Sequence, residues 1–213
     1  MKILVLSDIH GRTENLKQIL KKAHGKGISL VIITGDLTNY GEKKQVQEIL
    51  EELKSYKTIA VPGNMDTKKA LQEMEQKKIS IHAKNKKIGE WNFTGFGGGI
   101  TGHVGEILHT EQEIEKTLEK TLKRKEKTVL VTHLPPKNTS IDLAHGKTHA
   151  GSTAIRKIIE QKQPTIHVCG HIHEAMGEDK IGTTTTINAG AVKEGKALIL
   201  NLGDEITWKR IKL

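Results

Sequence analysis

Along this chain, apolar runs of strand length alternate with segments whose apolar residues recur every three to four positions, the pattern of a sheet laid down with intervening helices. Residues 3–6, ILVL, predict a first strand. Leu16, Ile19, Leu20 and Ala23 then share one helical face, and Gly25 and Gly27 close that helix ahead of a second strand over residues 30–33. The alternation continues with a helix over about residues 42–53, a strand over 58–61 and a short helix over about 67–75. From 79 to 100 the character changes: ISIHAKNKKIGEWNFTGFGGGI lacks a helical period and reads as short strands joined by turns, where a second sheet begins. Thr110 and Glu113 form a capping box that predicts a charged helix ending near Arg124, with a strand over 129–131 behind it. Beyond a long loop, residues 152–161 predict a helix and 165–169 a strand, and the chain from residue 180 onward is β-rich. The expected fold class is α/β, with two packed β-sheets flanked by helices.

A length of 213 residues suits one domain spanning 1–213. No apolar run approaches the roughly 18 residues that cross a bilayer, and the apolar stretch in MKILVLSDIH is too short for a signal peptide. The single cysteine, Cys169, excludes an internal disulfide; it reads as a small buried hydrophobe and fits a reducing, cytoplasmic location. The formal charge of +9 makes nucleic acid a possible partner, through attraction to phosphate backbones. It is not favoured, because only four of 34 basic residues are arginine, the lysine runs near 84–87 and 120–127 read as solvated surface, and six aromatics leave little platform for stacking bases. No apolar stripe marks a subunit interface, so the sequence is silent on oligomeric state.

The strand ends carry the chemistry. LVLSDIH delivers Asp8 and His10, VIITGD delivers Asp36, IAVPGN delivers Asn64, VLVTH delivers His133, and HVCGHIH delivers His171 and His173. In open α/β sheets ligands bind at the carboxyl ends of strands, and these five runs all present polar groups there. Two aspartates, one asparagine and four histidines suit manganese, iron, zinc, cobalt or nickel better than magnesium alone. Seven such donors exceed one tetrahedral site and suit two ions about 3.5–4 Å apart sharing a carboxylate, an arrangement that clamps phosphoryl groups.

The ordered series DxH, GD, GN, H and GHxH, spread over residues 8–173, resembles the calcineurin-like metallophosphoesterase superfamily. The resemblance implies a four-layer αββα sandwich. It implies that Asp8, His10 and His173 hold one metal, that Asn64, His133 and His171 hold the other, and that Asp36 bridges them. It further implies two divalent transition-metal ions, manganese foremost, a bridging hydroxide as nucleophile and a small phosphoester substrate, possibly a nucleotide. Two such ions with two carboxylates and a hydroxide leave a net charge of roughly +1, which attracts a phosphate anion. A non-catalytic scaffold on the same fold and a nuclease are the alternatives.

One position departs from the family pattern. Many relatives carry GNH followed by an acidic residue, with that histidine protonating the leaving oxygen; here the stretch is GNMD, and Met65 has no proton to give. Two expectations follow: a preference for phosphodiesters, or a substitute histidine. His145 and His149, in the long loop over 135–157, are the candidates for a proton donor or substrate contact. The helix start at Ser152 offers an anion site, and Arg156 one turn on reads as a packed or salt-bridged helix residue. His24 and His82 read as solvated, and His167 as a strand residue satisfied by neighbouring backbone. For His103 and Gly97 to Gly99 a loop near the site and a binding role stay equally open, although no GK[ST] follows the glycines to make a phosphate cradle.

Overall fold

The computed structural model describes residues 1–123 and 127–213. The first half of the chain alternates as its pattern predicts: β1 (Lys2–Leu6), α1 (Thr13–Ala23), β2 (Leu30–Ile33), α2 (Lys43–Glu52), β3 (Thr58–Ala60) and α3 (Lys68–Gln76). The second sheet opens with β4 (Lys84–Ile88) and β5 (Trp91–Phe96), followed by the short pair β6 (Gly99–Ile100) and β7 (Leu108–His109). Then come α4 (Glu111–Thr121), β8 (Thr128–Thr132), the two-residue strands β9 (Leu143–Ala144) and β10 (Thr148–His149), and α5 (Thr153–Lys162). The chain finishes with β11 (Ile166–Cys169), β12 (Gly177–Ile181), β13 (Thr184–Asn188), β14 (Lys196–Leu202) and β15 (Ile206–Lys212). Arg124, where the sequence ends its charged helix, lies outside the described residues.

One sheet has the order β15-β14-β1-β2-β3 and the other β12-β13-β11-β8-β5-β4. β1, β2 and β3 run parallel, as do β5, β8, β11 and β13, whereas β4, β12, β14 and β15 pair antiparallel. The parallel strands are buried on both faces, which explains why they read as unbroken apolar runs. Between the sheets, Val5, Ile32, Ile59 and Leu198 meet Phe93, Val131, Val168 and Ile187 in one core. Outside the first sheet, α1, α2 and α3 lay Leu16, Ile19, Val46, Ile49 and Met74 on Leu4, Leu6, Val31 and Ile33. Outside the second, Ile114 and Leu118 of α4 and Ile155, Ile158 and Ile159 of α5 cover Leu130 and Phe96. These four layers form an αββα sandwich.

Residues 135–157 do not form a structureless loop: β9 and β10 pair as a small antiparallel hairpin within it, and α5 begins at Thr153. The capping box predicted at Thr110 is present, with the Thr110 hydroxyl accepting from Glu113 N and the Glu113 carboxylate accepting from Thr110 N. The parallel arrangement brings the carboxyl ends of β1, β2, β3, β8 and β11 to the same rim, so that residues far apart in sequence become neighbours.

Candidate metal centre

Three of the five strand ends turn sharply at their polar residues. Asp8, His10, Asp36 and His171 all adopt left-handed backbone conformations, with φ of 51°, 46°, 50° and 69°. Non-glycine residues there cost free energy, and their clustering at one rim is the pattern of strain kept for a site. At Gly35, with φ of 108°, an added Cβ would lie 2.4 Å from His133 Nδ1, so only glycine lets β2 pass the buried imidazole.

The turns converge their side chains. Asp8 is fully buried: Oδ2 accepts from Ser7 Oγ at 2.5 Å and from His171 N at 2.9 Å, and Oδ1 lies 3.1 Å from His173 Nε2. Burial opposes its ionisation, yet the hydrogen bond from His173 and the charges of His133 and His173 hold its pKa well below the ordinary value. Asp36 Oδ1 accepts from Met65 N at 2.8 Å, which leaves Oδ2 3.6 Å from His10 Nε2 and 3.5 Å from His133 Nε2. His133 donates Nδ1–H to the Thr34 carbonyl at 2.9 Å. Its Nε2 therefore faces Asn64 Oδ1 at 2.9 Å and His171 Nδ1 at 3.2 Å.

This donor set fits divalent cations. His10 Nε2 is buried without a hydrogen-bond partner, although two carboxylates lie within 4 Å. Around His133 Nε2 an amide oxygen, a second ring nitrogen and a carboxylate oxygen crowd together, more acceptors than one proton can satisfy. Burial works against a proton on His133, but Asp36 and Asp8 outweigh it and raise its pKa to about 9, a measure of how strongly this spot attracts positive charge. Burial and the neighbouring His133 push His171 down to about 4, keeping its ring a neutral lone-pair donor. Asp8, His10 and His173 offer donor atoms all within 4.8 Å of one another, and so do Asp8, Asp36 and His133. The two groups have Asp8 in common, and Asp36 Oδ2 is at nearly equal distances from His10 Nε2 and His133 Nε2, 3.6 and 3.5 Å.

Several residues outside the sequence-predicted set shape the site. Asn64 donates Nδ2 to the Val104 carbonyl at 2.8 Å, which turns its Oδ1 toward His133. The backing loop fits closely: at Gly105, with φ of 145°, a Cβ would come within 2.5 Å of the Asn64 carbonyl. Gly97 and Gly99 pack on Pro62 and Asn64, so the glycine run braces the end of β3. Asp66, the acid left beside Met65, is buried and accepts from Gly63 N, Leu37 N, Thr38 N and Thr38 Oγ, tying the turn after β2 to the turn after β3. Burial, with the nearby charge of Asp36, raises its pKa to about 6 against those hydrogen bonds. The sequence offered a signal for Asp66 in GNMD and none for Val104, whose contribution is a carbonyl.

Other expectations meet a different outcome. His149 Nδ1 lies 2.6 Å from Asp142 Oδ1, and that buried carboxylate also accepts from Asn138 N, Thr139 N and Gly151 N, so His149 pins the hairpin. The His145 ring is 94% exposed beside Glu174, on an open depression that also touches His173. Neither histidine lines the cavity of about 440 Å³ bounded by His10, Asp36, Asn64, His171 and His173. The helix start at Ser152 is already occupied by an anion: Glu111 accepts from Ser152 Oγ, Thr153 N and Ala154 N at 2.6–2.9 Å. Arg156 is bonded as expected, to Glu160 and to the Lys137 and Asn138 carbonyls. His82 is half-buried instead of fully solvated, stacking on His109, tilting against Phe96 and accepting at Nδ1 from Gly97 N at 3.0 Å. His167 finds the Thr132 hydroxyl at 2.7 Å instead of backbone, and its Nδ1 has no partner.

Comparison with known proteins agrees with this architecture. The family model described as calcineurin-like phosphoesterase matches residues 1–175, and the chain belongs to that family. It is 38% identical over 194 residues to the uncharacterized protein MJ1162 of Methanocaldococcus jannaschii, a match covering 88% of this chain and 87% of that one. Among solved structures, a dimetal phosphatase from Danio rerio superposes with a TM-score of 0.73 at 11% identity, covering 100% of this chain and 96% of that one. A structure described as a novel archaeal phosphodiesterase superposes with a TM-score of 0.58 at 17% identity over 100% of both chains. At such identities the two structures speak for the fold. Among the described residues no helix is long and apolar enough to cross a membrane.

Proposed function

We propose that the chain hydrolyses small, nucleotide-like phosphodiesters at a dinuclear centre in which Asp8, His10 and His173 hold one divalent ion, Asn64, His133 and His171 hold the second, and Asp36 bridges. The observation that carries this reading is the convergence of donor atoms from five strand ends around the unpartnered His10 Nε2 and the overcrowded His133 Nε2. When bound, two such ions supply a nucleophile from water at neutral pH and positive charge for a phosphoryl oxygen; manganese suits the mixed oxygen and nitrogen donors. The chain's own residues do the rest. Ser7 and the His171 amide fix the Asp8 carboxylate, Met65 N fixes Asp36, and Val104 fixes Asn64, so the donors are oriented before any ion arrives.

The preference for diesters rests on Met65, which lines the cavity where a proton donor would stand. A thioether cannot protonate a leaving alkoxide, so substrates with a stable leaving group are favoured. The test is manganese-loaded protein assayed on bis-p-nitrophenyl phosphate and on an unactivated alkyl monoester, glycerol 2-phosphate. Wild type is expected to prefer the diester, and Met65→His to raise monoester turnover by roughly 10²-fold, the low end of what a positioned acid contributes. Monoester turnover unchanged in that variant contradicts the diester argument. No turnover of either substrate with manganese or nickel favours a scaffold role.

A further inference from the structure

The wall of the metal-site cavity carries two cations that the proposed ligand set does not use, Arg12 and Lys193. Among the described residues, neither side chain makes a hydrogen bond or an ion pair. For Lys193 this is notable, since it is half-buried, whereas Arg12 is exposed. The backbone that carries them is held by the frame of the site. Asn15, in the first turn of α1 just past Arg12, donates Nδ2 to the Val192 carbonyl at 3.1 Å and to the Lys193 carbonyl at 2.9 Å. Lys193 N donates to Asp8 O at 3.1 Å, and Val192 N donates to Ser7 O at 2.8 Å. The two cation-bearing segments are thereby fastened to each other and to the strand end that supplies Asp8.

Unpaired cations whose backbone is anchored beside a site that binds one phosphoryl group point to further negative charge on the ligand. A simple diester with uncharged substituents offers them only the oxygens of the scissile phosphate, which the metal centre also attracts. Met65 points to the same conclusion from another side, because its thioether has no proton to give and so favours a leaving group that departs as an anion. A phosphate oxygen satisfies both demands: its last pKa is near 6, so it leaves unprotonated at neutral pH, and it brings the charge that a guanidinium and an ammonium would hold.

We propose that the substrate carries a second phosphate next to the scissile one, that the bond cleaved is a phosphoanhydride, and that Arg12 and Lys193 bind the departing phosphate. The attacked phosphorus then bears one ester oxygen and one anhydride oxygen. This deepens, and rests on, the reading of the centre as a metal-dependent hydrolase of phosphoryl compounds. In the step, the oxygen of water forms a bond to the inner phosphorus and the bridging P–O bond breaks, leaving its electron pair on the outer phosphate. The protons of that water distribute between the two phosphate products and solvent. Arg12 and Lys193 neutralise the charge that the leaving oxygen gains, so they act most strongly as the bond breaks.

The test compares manganese-loaded wild type with Arg12→Gln, Lys193→Gln and the double variant on P1,P2-diadenosine pyrophosphate and on bis-p-nitrophenyl phosphate. Wild type is expected to cleave the pyrophosphate, and the double variant to lower the ratio of kcat/KM for pyrophosphate over diester by roughly 10²-fold, as loss of two charge-assisted contacts implies. Arg12→Lys and Lys193→Arg should recover part of that ratio. A second readout is calorimetric: methylenediphosphonate is expected to bind loaded wild type about tenfold more tightly than methylphosphonate, with the difference abolished in the double variant. Cleavage of the diester but not the pyrophosphate, or an unchanged ratio in the double variant, overturns the proposal while leaving the phosphoesterase reading intact. Failure to cleave either substrate overturns that reading, and this proposal with it.

Discussion

His82 and His167 show how far a residue's surroundings set its behaviour. Burial, aided by the charge of His109, lowers His82 to about 4, and burial alone lowers His167 to about 3. The unfolded chain takes up protons on both near pH 6.5, so their contribution to stability is fully present above that pH. It is lost as pH falls toward 4 and then 3, by roughly 1.4 kcal/mol per pH unit for each imidazole. Urea midpoints between pH 6.5 and 4.5 should therefore fall, and His82→Gln should flatten that slope by about one proton's worth. An unchanged slope would show that His82 protonates freely in the fold. Neither environment could be read from HAK or IHV, since the stacked ring of His109 and the Thr132 hydroxyl come from remote segments. The proposed ligands were legible because their signal is local, each a polar residue at the end of an apolar run. Their supporting contacts were not, as Gly105 illustrates. Gly105→Ala should push Asn64 aside and weaken manganese affinity by roughly 10–100-fold, the usual effect of disturbing an outer-shell contact, measured by titration with the metal.

At the scale of elements, periodicity located the strands and helices of the sandwich to within a few residues, because parallel strands buried on both faces and helices with one apolar stripe leave strong local patterns. Residues 135–157 were illegible for the opposite reason. The two-residue strands β9 and β10 are too short to show a period, and the turn beside them is held by one buried carboxylate, Asp142, with four partners in Asn138, Thr139, His149 and Gly151. The start of α5 teaches the same lesson. Its sequence offers an anion site, but α4 fills it with Glu111, which joins the two helices covering the second sheet. Glu111→Ala should cost about 1–2 kcal/mol by urea denaturation, the range for a lost helix cap and charged hydrogen bonds. Because α5 lies away from the metal-site cavity, a loss of manganese affinity in that variant would indicate a coupling that its contacts do not suggest.

For the molecule as a whole, the packing of two sheets on one shared core is what makes the rim useful. β1, β2 and β3 approach from one sheet, β8 and β11 from the other, and their ends meet across the interior. Asp8 and Asp36 thus face His133 and His171 from opposite sheets, with Asp36 Oδ2 3.5 Å from His133 Nε2. The formal charge of +9 concerns the surface, whereas the centre concentrates carboxylates that must be offset. The most direct measurement is an anomalous-scattering crystal structure of manganese-soaked protein, paired with metal analysis of the same preparation. The account predicts two manganese ions per chain about 3.5–4 Å apart, with Asp36 touching both, His10 Nε2 on one and His133 Nε2 on the other. A single ion, or none among these side chains at saturating metal, would contradict it.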